Sequence, residues 1–141
     1  MTIKTLGCDI PNRLHTAEQV RQLDAIAIAK TPGGGYELMH SAGTAAFDLL
    51  CQLFTEYNNI SIVCGGGNNG GDGYVVAELA VKAGFRVEVF AVTDPAKLTG
   101  EAQQAYQVAE DTGVIVKSWT AATNFSGKLI VDALLGTGLT G

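Results

Sequence analysis

Ile60-Ser61-Ile62-Val63-Cys64, followed by Gly65-Gly66-Gly67-Asn68-Asn69-Gly70-Gly71-Asp72-Gly73, is the stretch on which the fold turns. Its first five residues form a short, β-branched apolar run, the pattern of a buried strand. The nine glycine, asparagine and aspartate residues read as a loop. Tyr74 to Ala83 then has helical character and closes on Gly84, placed where a helix C-terminus favours glycine. Strand, glycine loop and helix in that order begin a βαβ unit.

The elements on either side continue the alternation. Downstream, 86–92 reads as a second strand, Asp94-Pro95 as a turn, and 97–112 as a helix with Gly113 just past its end. Val114-Ile115-Val116 is a third strand and Lys128 to Leu135 a fourth, which runs into Gly136-Thr137-Gly138-Leu139-Thr140-Gly141. Upstream, the first twelve or so residues read as an irregular arm. Thr16-Ala17-Glu18-Gln19 has the form of a capping box, which predicts a helix over 16–30. Thr31-Pro32-Gly33-Gly34-Gly35 breaks it, and a second helix fits 36–57 with Leu38, Ala42, Ala45, Leu49, Leu53 and then Phe54 on its apolar stripe.

Short loops between alternating strands and helices imply a parallel sheet with right-handed crossovers. The fold class is therefore α/β, a three-layer α/β/α Rossmann-like parallel sheet of order 3-2-1-4. The helices after strands 1 and 2 should cover one face, leaving the other to the two N-terminal helices. One domain, residues 1–141, is expected. It reads as truncated after the fourth strand, because a glycine-rich loop leaving a buried strand would normally lead into another helix.

Of the 141 residues, 18 are glycine, nearly twice the usual share of roughly 7%. Nine of these 18 fall in the two loops after the first and fourth strands. The net charge of −5 argues against a general nucleic-acid binder, which needs a basic face. Cys8, Cys51 and Cys64 share no metal-like spacing and read as reduced, structural thiols. With no signal-peptide pattern and no apolar run of about 20 residues, a cytoplasmic protein with no membrane partner is expected.

Gly65, Gly67 and Gly70 satisfy G-x-G-x-x-G, the fingerprint of a dinucleotide-binding turn, but alone this signal is weak. The acidic residue expected near the end of the second strand is misplaced: Glu88 falls inside the strand and Asp94 lies late. There is no Gly-Lys-Ser/Thr, which excludes a P-loop. Asn68, Asn69 and Asp72 suit hydroxyl, amide or cation contacts at least as well as a diphosphate; the plainer reading makes Asp72 an N-cap of a tight turn. Asp132 interrupts an apolar strand, where a buried carboxylate needs a partner or a cation. Its plainer reading is an acceptor for a neighbouring loop. In the order 3-2-1-4 both glycine loops and Asp132 meet at the topological switch point, where open sheets of this kind bind ligands. Cys64 has no histidine near it in sequence to activate it, and His15 and His40 read as surface or packing residues.

Together, GGGNNGGDG with YVVAELAVKAG, VDALLGTGL, AEQVRQLD and LMHSAG resemble the YjeF N-terminal domain family, the NAD(P)H-hydrate epimerases, over essentially the whole chain. The NNGGDG block carries most of the specificity. The resemblance implies an isomerase that interconverts the R and S epimers of hydrated NADH and NADPH, a small-molecule nucleotide substrate. It implies nucleotide contacts by Asn68, Asn69, Gly70, Gly71 and Asp72, and by Gly136, Thr137, Gly138, Leu139, Thr140 and Gly141. It also implies a potassium ion held in part by Asn69 and Asp132, whose oxygens are hard ligands for a hard cation. Asp132 is the candidate acid/base within this stretch. An aspartate in an Asp-x-Pro-Ser-Gly segment, which the family carries further on, is its rival. Without that segment the 141 residues alone are expected to epimerise slowly or not at all. A homodimer and a C-terminal dehydratase domain are further candidate partners. Two residues depart from the family: His40 stands where an acidic residue is usual, and Glu78 where an arginine is common. A non-catalytic nucleotide-binding or scaffold domain of the same fold is the alternative, with a Rossmann dehydrogenase fragment behind it.

Overall fold

The computed structural model describes residues 14–136; the N-terminal arm with Cys8, and Thr137 to Gly141, lie outside the described residues. The elements are α1 (Ala17–Lys30), α2 (Gly34–Leu53), β1 (Asn59–Cys64), α3 (Asn68–Lys82), β2 (Arg86–Ala91), a 3-10 turn (Pro95–Lys97), α4 (Gly100–Asp111), β3 (Val116–Ser118) and β4 (Leu129–Ala133). The four strands form one parallel sheet in the order β3-β2-β1-β4, as the alternation requires.

Register decides what each face carries. Ile62 sits between Val89 and Val131, and Cys64 between Ala91 and Ala133. This face packs under α3 and α4, and Ile60, Ile62, Cys64 and Val89 are fully buried. The alternate residues Ser61, Val63, Glu88, Phe90, Ile130 and Asp132 point the other way. There the 119–127 loop, rather than a helix, provides cover. Phe125 meets Phe90 edge to face at 5.4 Å. Glu88 Oε1 accepts from Ser61 Oγ at 2.5 Å and from the amides of Ser126 and Gly127 at 2.6 and 3.3 Å. Burial alone would raise the Glu88 carboxyl, but these hydrogen bonds outweigh it and hold the group below its ordinary value. The acid that looked misplaced inside β2 is therefore an anchor for the loop.

The N-terminal helices do not cover that second face. α2 packs against α3 and α4, and α1 against α2. The buried stripe of α2 is Met39, Gly43 and Leu50, with Phe47 packed alongside; Leu49 and Leu53, expected inside, are each 39% exposed. The cause is Gly43: a Cβ there would lie 2.5 Å from Val75 Cγ1, so only glycine allows α2 and α3 to approach this closely. His40 and Glu78 also meet across this seam. His40 Nε2 lies 3.9 Å from Glu78 Oε2, while Lys82 Nζ donates to Glu78 Oε1 at 2.5 Å. The two side chains thus face each other.

Among the described residues no helix is long and apolar enough to cross a membrane. Cys51 and Cys64 are both free, and burial pushes the Cys64 thiol far above its ordinary value, as suits an inert core residue.

Candidate functional site

The glycine block is shorter as a loop, and longer as a helix, than its composition suggests. α3 starts at Asn68, so only Gly65 to Gly67 form the turn, and Asn68 to Gly73 make the first helical turns. None of the six glycines in this block has a positive φ, so left-handed backbone does not explain them. Close approach does. A Cβ on Gly70 would collide with the carbonyl oxygen of Gly65. One on Gly71 would lie 2.5 Å from Met39 Sδ, and one on Gly73 would lie 2.6 Å from Ala133 Cβ. These residues let the start of α3 press on the ends of β1 and β4 and on α2. Asp72, an N-cap on its plainer reading, instead sits in the second turn; the cap position is Gly67, with no side-chain cap.

This close packing leaves a cavity of about 610 Å³ at the C-terminal ends of β1 and β4. Gly66, Gly67, Asn68, Asn69 and Asp72 line one side, and Leu134, Leu135 and Gly136 the other. The two glycine loops therefore converge as their sequence order implies. They are tied together: Gly65 N donates to Ala133 O at 3.0 Å, and Asn69 Nδ2 to Leu135 O at 3.2 Å. Gly70 and Gly71 are buried beneath this wall rather than lining it. A smaller cavity of about 200 Å³ shares Asp24, Asn68 and Asp72 with the first and adds Met39 and Glu101.

Asp72 is the titratable group the geometry singles out. It is half-buried and lines both cavities. Burial, and secondarily the nearby charge of Asp24, pushes its carboxyl up to about 6. A carboxyl poised there can both give and take a proton near neutral pH.

Asp132 is placed differently from its sequence reading. It is exposed, not buried, and does not line the cavity. Among the described residues β4 is an edge strand, and Asp132 lies on the face without helices, so no burial penalty demands a cation. Its Oδ1 accepts from Leu134 N at 3.0 Å, which matches the plainer reading of a local acceptor. The donor chemistry still suits potassium. Among the described residues, Asn69 Oδ1 and Asp132 Oδ2 accept no hydrogen bond, and both are hard oxygen ligands.

Two lining residues come from α1 and were given no site role from the sequence, although both lie in the AEQVRQLD segment: Arg21 and Asp24. The signal for them was indirect. They sit three residues apart, on one face of a helix that buries none of its residues.

The family model described as YjeF-related protein N-terminus matches residues 35–141. Among curated relatives, the bifunctional NAD(P)H-hydrate repair enzyme Nnr of Coxiella burnetii is 40% identical over 128 residues, covering 91% of this chain and 26% of that protein. The NAD(P)H-hydrate epimerase of Rhodobacter capsulatus is 33% identical over 132 residues, covering 89% of this chain and 62% of the relative. The chain thus spans between a quarter and two thirds of the length of these relatives. The crystal structure of yeast ynu0, YNL200c superposes with a TM-score of 0.75 at 23% identity, over 92% of this chain and 59% of that one, and shares the fold.

Proposed function

The chain belongs to the family of YjeF-related protein N-termini, and on that premise we propose that it supplies the NAD(P)H-hydrate epimerase reaction, interconverting the R and S epimers of hydrated NADH and NADPH. The observation that carries this reading is the convergence of the Asn68 to Asp72 segment and the Leu134 to Gly136 segment on one cavity at the switch point of the sheet. The names of the relatives, NAD(P)H-hydrate epimerase and repair enzyme, support it.

Epimerisation must break the carbon–hydroxyl bond of the hydrated ring and remake it from the opposite face. An acid protonates the departing hydroxyl so that it leaves as water, and a base takes a proton from the water that adds back. Asp72 serves both halves: it lines the cavity and exchanges a proton near neutral pH. Asn68 and Asn69 offer amide contacts to sugar hydroxyls or the carboxamide, and Gly136 lets the nucleotide approach the backbone. The resemblance extends the nucleotide contacts to Thr137 to Gly141, which lie outside the described residues. As the resemblance implies, Asn69 and Asp132 would hold potassium, and the ion would supply positive charge to the site. Asp132 therefore keeps a metal-holding role, and the acid/base role assigned to it from sequence passes to Asp72. A cytoplasmic location, a homodimer and a C-terminal dehydratase partner belong to the same reading, the last supported by bifunctional relatives of which the chain covers 26% and 27%.

Incubating the full-length protein with the resolved R epimer of hydrated NADPH tests the proposal by chromatography. Appearance of the S epimer, well above the buffer rate and abolished in Asp72→Asn, is the expected result. Retention of the R epimer at the buffer rate would refute it. Turnover unchanged in Asp72→Asn would refute the role given to that carboxyl.

A further inference from the structure

The cavity described above carries an electrostatic problem. A nucleotide substrate is an anion, yet the walls of the larger cavity bring two carboxylates, Asp24 and Asp72, toward it. Among the described residues, Arg21 is the single basic one that lines either cavity. It lies on α1, a helix with no buried residue, which the rest of the fold therefore holds only lightly. What α1 brings to the described residues is wall: Arg21 and Asp24 to the larger cavity, Asp24 and Ile28 to the smaller.

Arg21 is also held in place on its own helix. Glu18 Oε2 accepts from its Nε at 3.2 Å and from its Nη2 at 2.7 Å, and Gln22 Nε2 donates to Glu18 Oε1 at 3.2 Å. Among the described residues its Nη1 donates to no protein group. The guanidinium is thus braced along one edge, with the other open to a ligand. Such a fork matches the geometry of phosphate oxygens.

Resting on the epimerase reading, we infer that Arg21 is the phosphate contact of the substrate, so that α1 joins the site by engaging the diphosphate of the bound nucleotide. The role is in binding rather than chemistry. It belongs to the ground state and the transition state alike, so its loss should raise KM and leave kcat nearly unchanged.

The test compares full-length wild type with Arg21→Gln, Arg21→Lys and Arg86→Gln in epimerisation of hydrated NADPH. Arg86 is exposed and opens β2 beside Asn59, at the far end of the sheet from the cavity, so its loss controls for net charge alone. Arg21→Gln is expected to raise KM about tenfold, the size of one charge-assisted hydrogen bond, with kcat within about twofold. Arg21→Lys should recover part of the loss, Arg86→Gln should match wild type, and the salt dependence of KM should weaken in Arg21→Gln. An unchanged KM in Arg21→Gln, or a fall in kcat without a change in KM, overturns the role of Arg21 while the epimerase stands. An inactive wild type overturns the epimerase reading instead. Calorimetric titration with NADP+ then decides Arg21 by itself: about tenfold weaker binding in Arg21→Gln upholds it, and equal affinity, or no binding by wild type, overturns it.

Discussion

α1 and α3 wall the same cavity but are built in opposite ways. α1 opens on a complete capping box, with Thr16 N donating to Gln19 Oε1 at 2.9 Å and Gln19 N to Thr16 Oγ1 at 3.3 Å, and consists largely of good helix formers. Yet it buries no residue. α3 opens on Asn68-Asn69-Gly70-Gly71-Asp72-Gly73, a poor helix sequence in which each glycine costs roughly 1 kcal/mol relative to alanine. It nevertheless buries nine of its residues and packs on β1, β2, β4, α2 and α4. Local signals say where a helix can form; burial says which helix the domain depends on. The cavity combines a rigid wall, α3, with a lightly held one, α1.

Substitutions at three sites would break that comparison if it is wrong. The largest effect should come from Gly70→Ala, because a Cβ there meets backbone, which cannot swing aside as a side chain can. We expect a loss of about 3 kcal/mol, read as a lower urea midpoint, even though alanine is the better helix former. An unchanged or higher midpoint would mean that close approach is not why glycine stands there.

A smaller effect, opposite in sign, should follow from Asp72→Asn. Burial holds the folded-state carboxyl at about 6 against an ordinary 3.8, so between those values the folded protein binds more protons than the unfolded chain. Stability therefore falls as pH rises through that window and stays lower above it. Removing the charge should stabilise the protein by about 1 kcal/mol at pH near 7.5, after allowance for solvent screening of a half-exposed group, and by nothing near pH 3.5. Thermal melts at both pH values check this; an equal difference at both would show that the carboxyl is not strained by burial.

The smallest global effect should come from Thr16→Ala. Loss of the capping box weakens α1 by about 1 kcal/mol, visible as faster amide hydrogen exchange in 17–22, while the urea midpoint stays unchanged. A shift of that midpoint would show that α1 is part of the cooperative core after all.

How much was legible in the sequence follows from the same contrast. The parallel sheet and its order were readable because β1's Ile60 to Cys64 run and the alternation of strands and helices are statements about the chain itself. The capping box of α1 was equally direct. The start of α3 was not, since glycine and asparagine argue for a loop until Ala133, Cys64 and Met39 are known to press on them. The stripe of α2 was misplaced by one residue for the same reason: hydrophobicity pointed to Leu49 and Leu53, and the close contact at Gly43 chose Met39 and Leu50. Asp132 looked buried because its neighbours are apolar, but β4 has no helix on that face among the described residues. For the site, Asn68, Asn69, Asp72 and Gly136 could be named from motifs, whereas Arg21 and Asp24 are brought in by the docking of a separate helix.

By itself, then, the chain determined the order of its elements, the parallel sheet and the two glycine segments that flank the switch point. These depend on residue type and spacing, which sequence states directly. Tertiary structure alone decided that the glycines serve close packing, that Asp72 rather than Asp132 is the carboxyl strained by burial, and that one arginine of α1 faces the cavity. Each of those outcomes depends on the distance between segments remote in sequence, and only packing determines that distance.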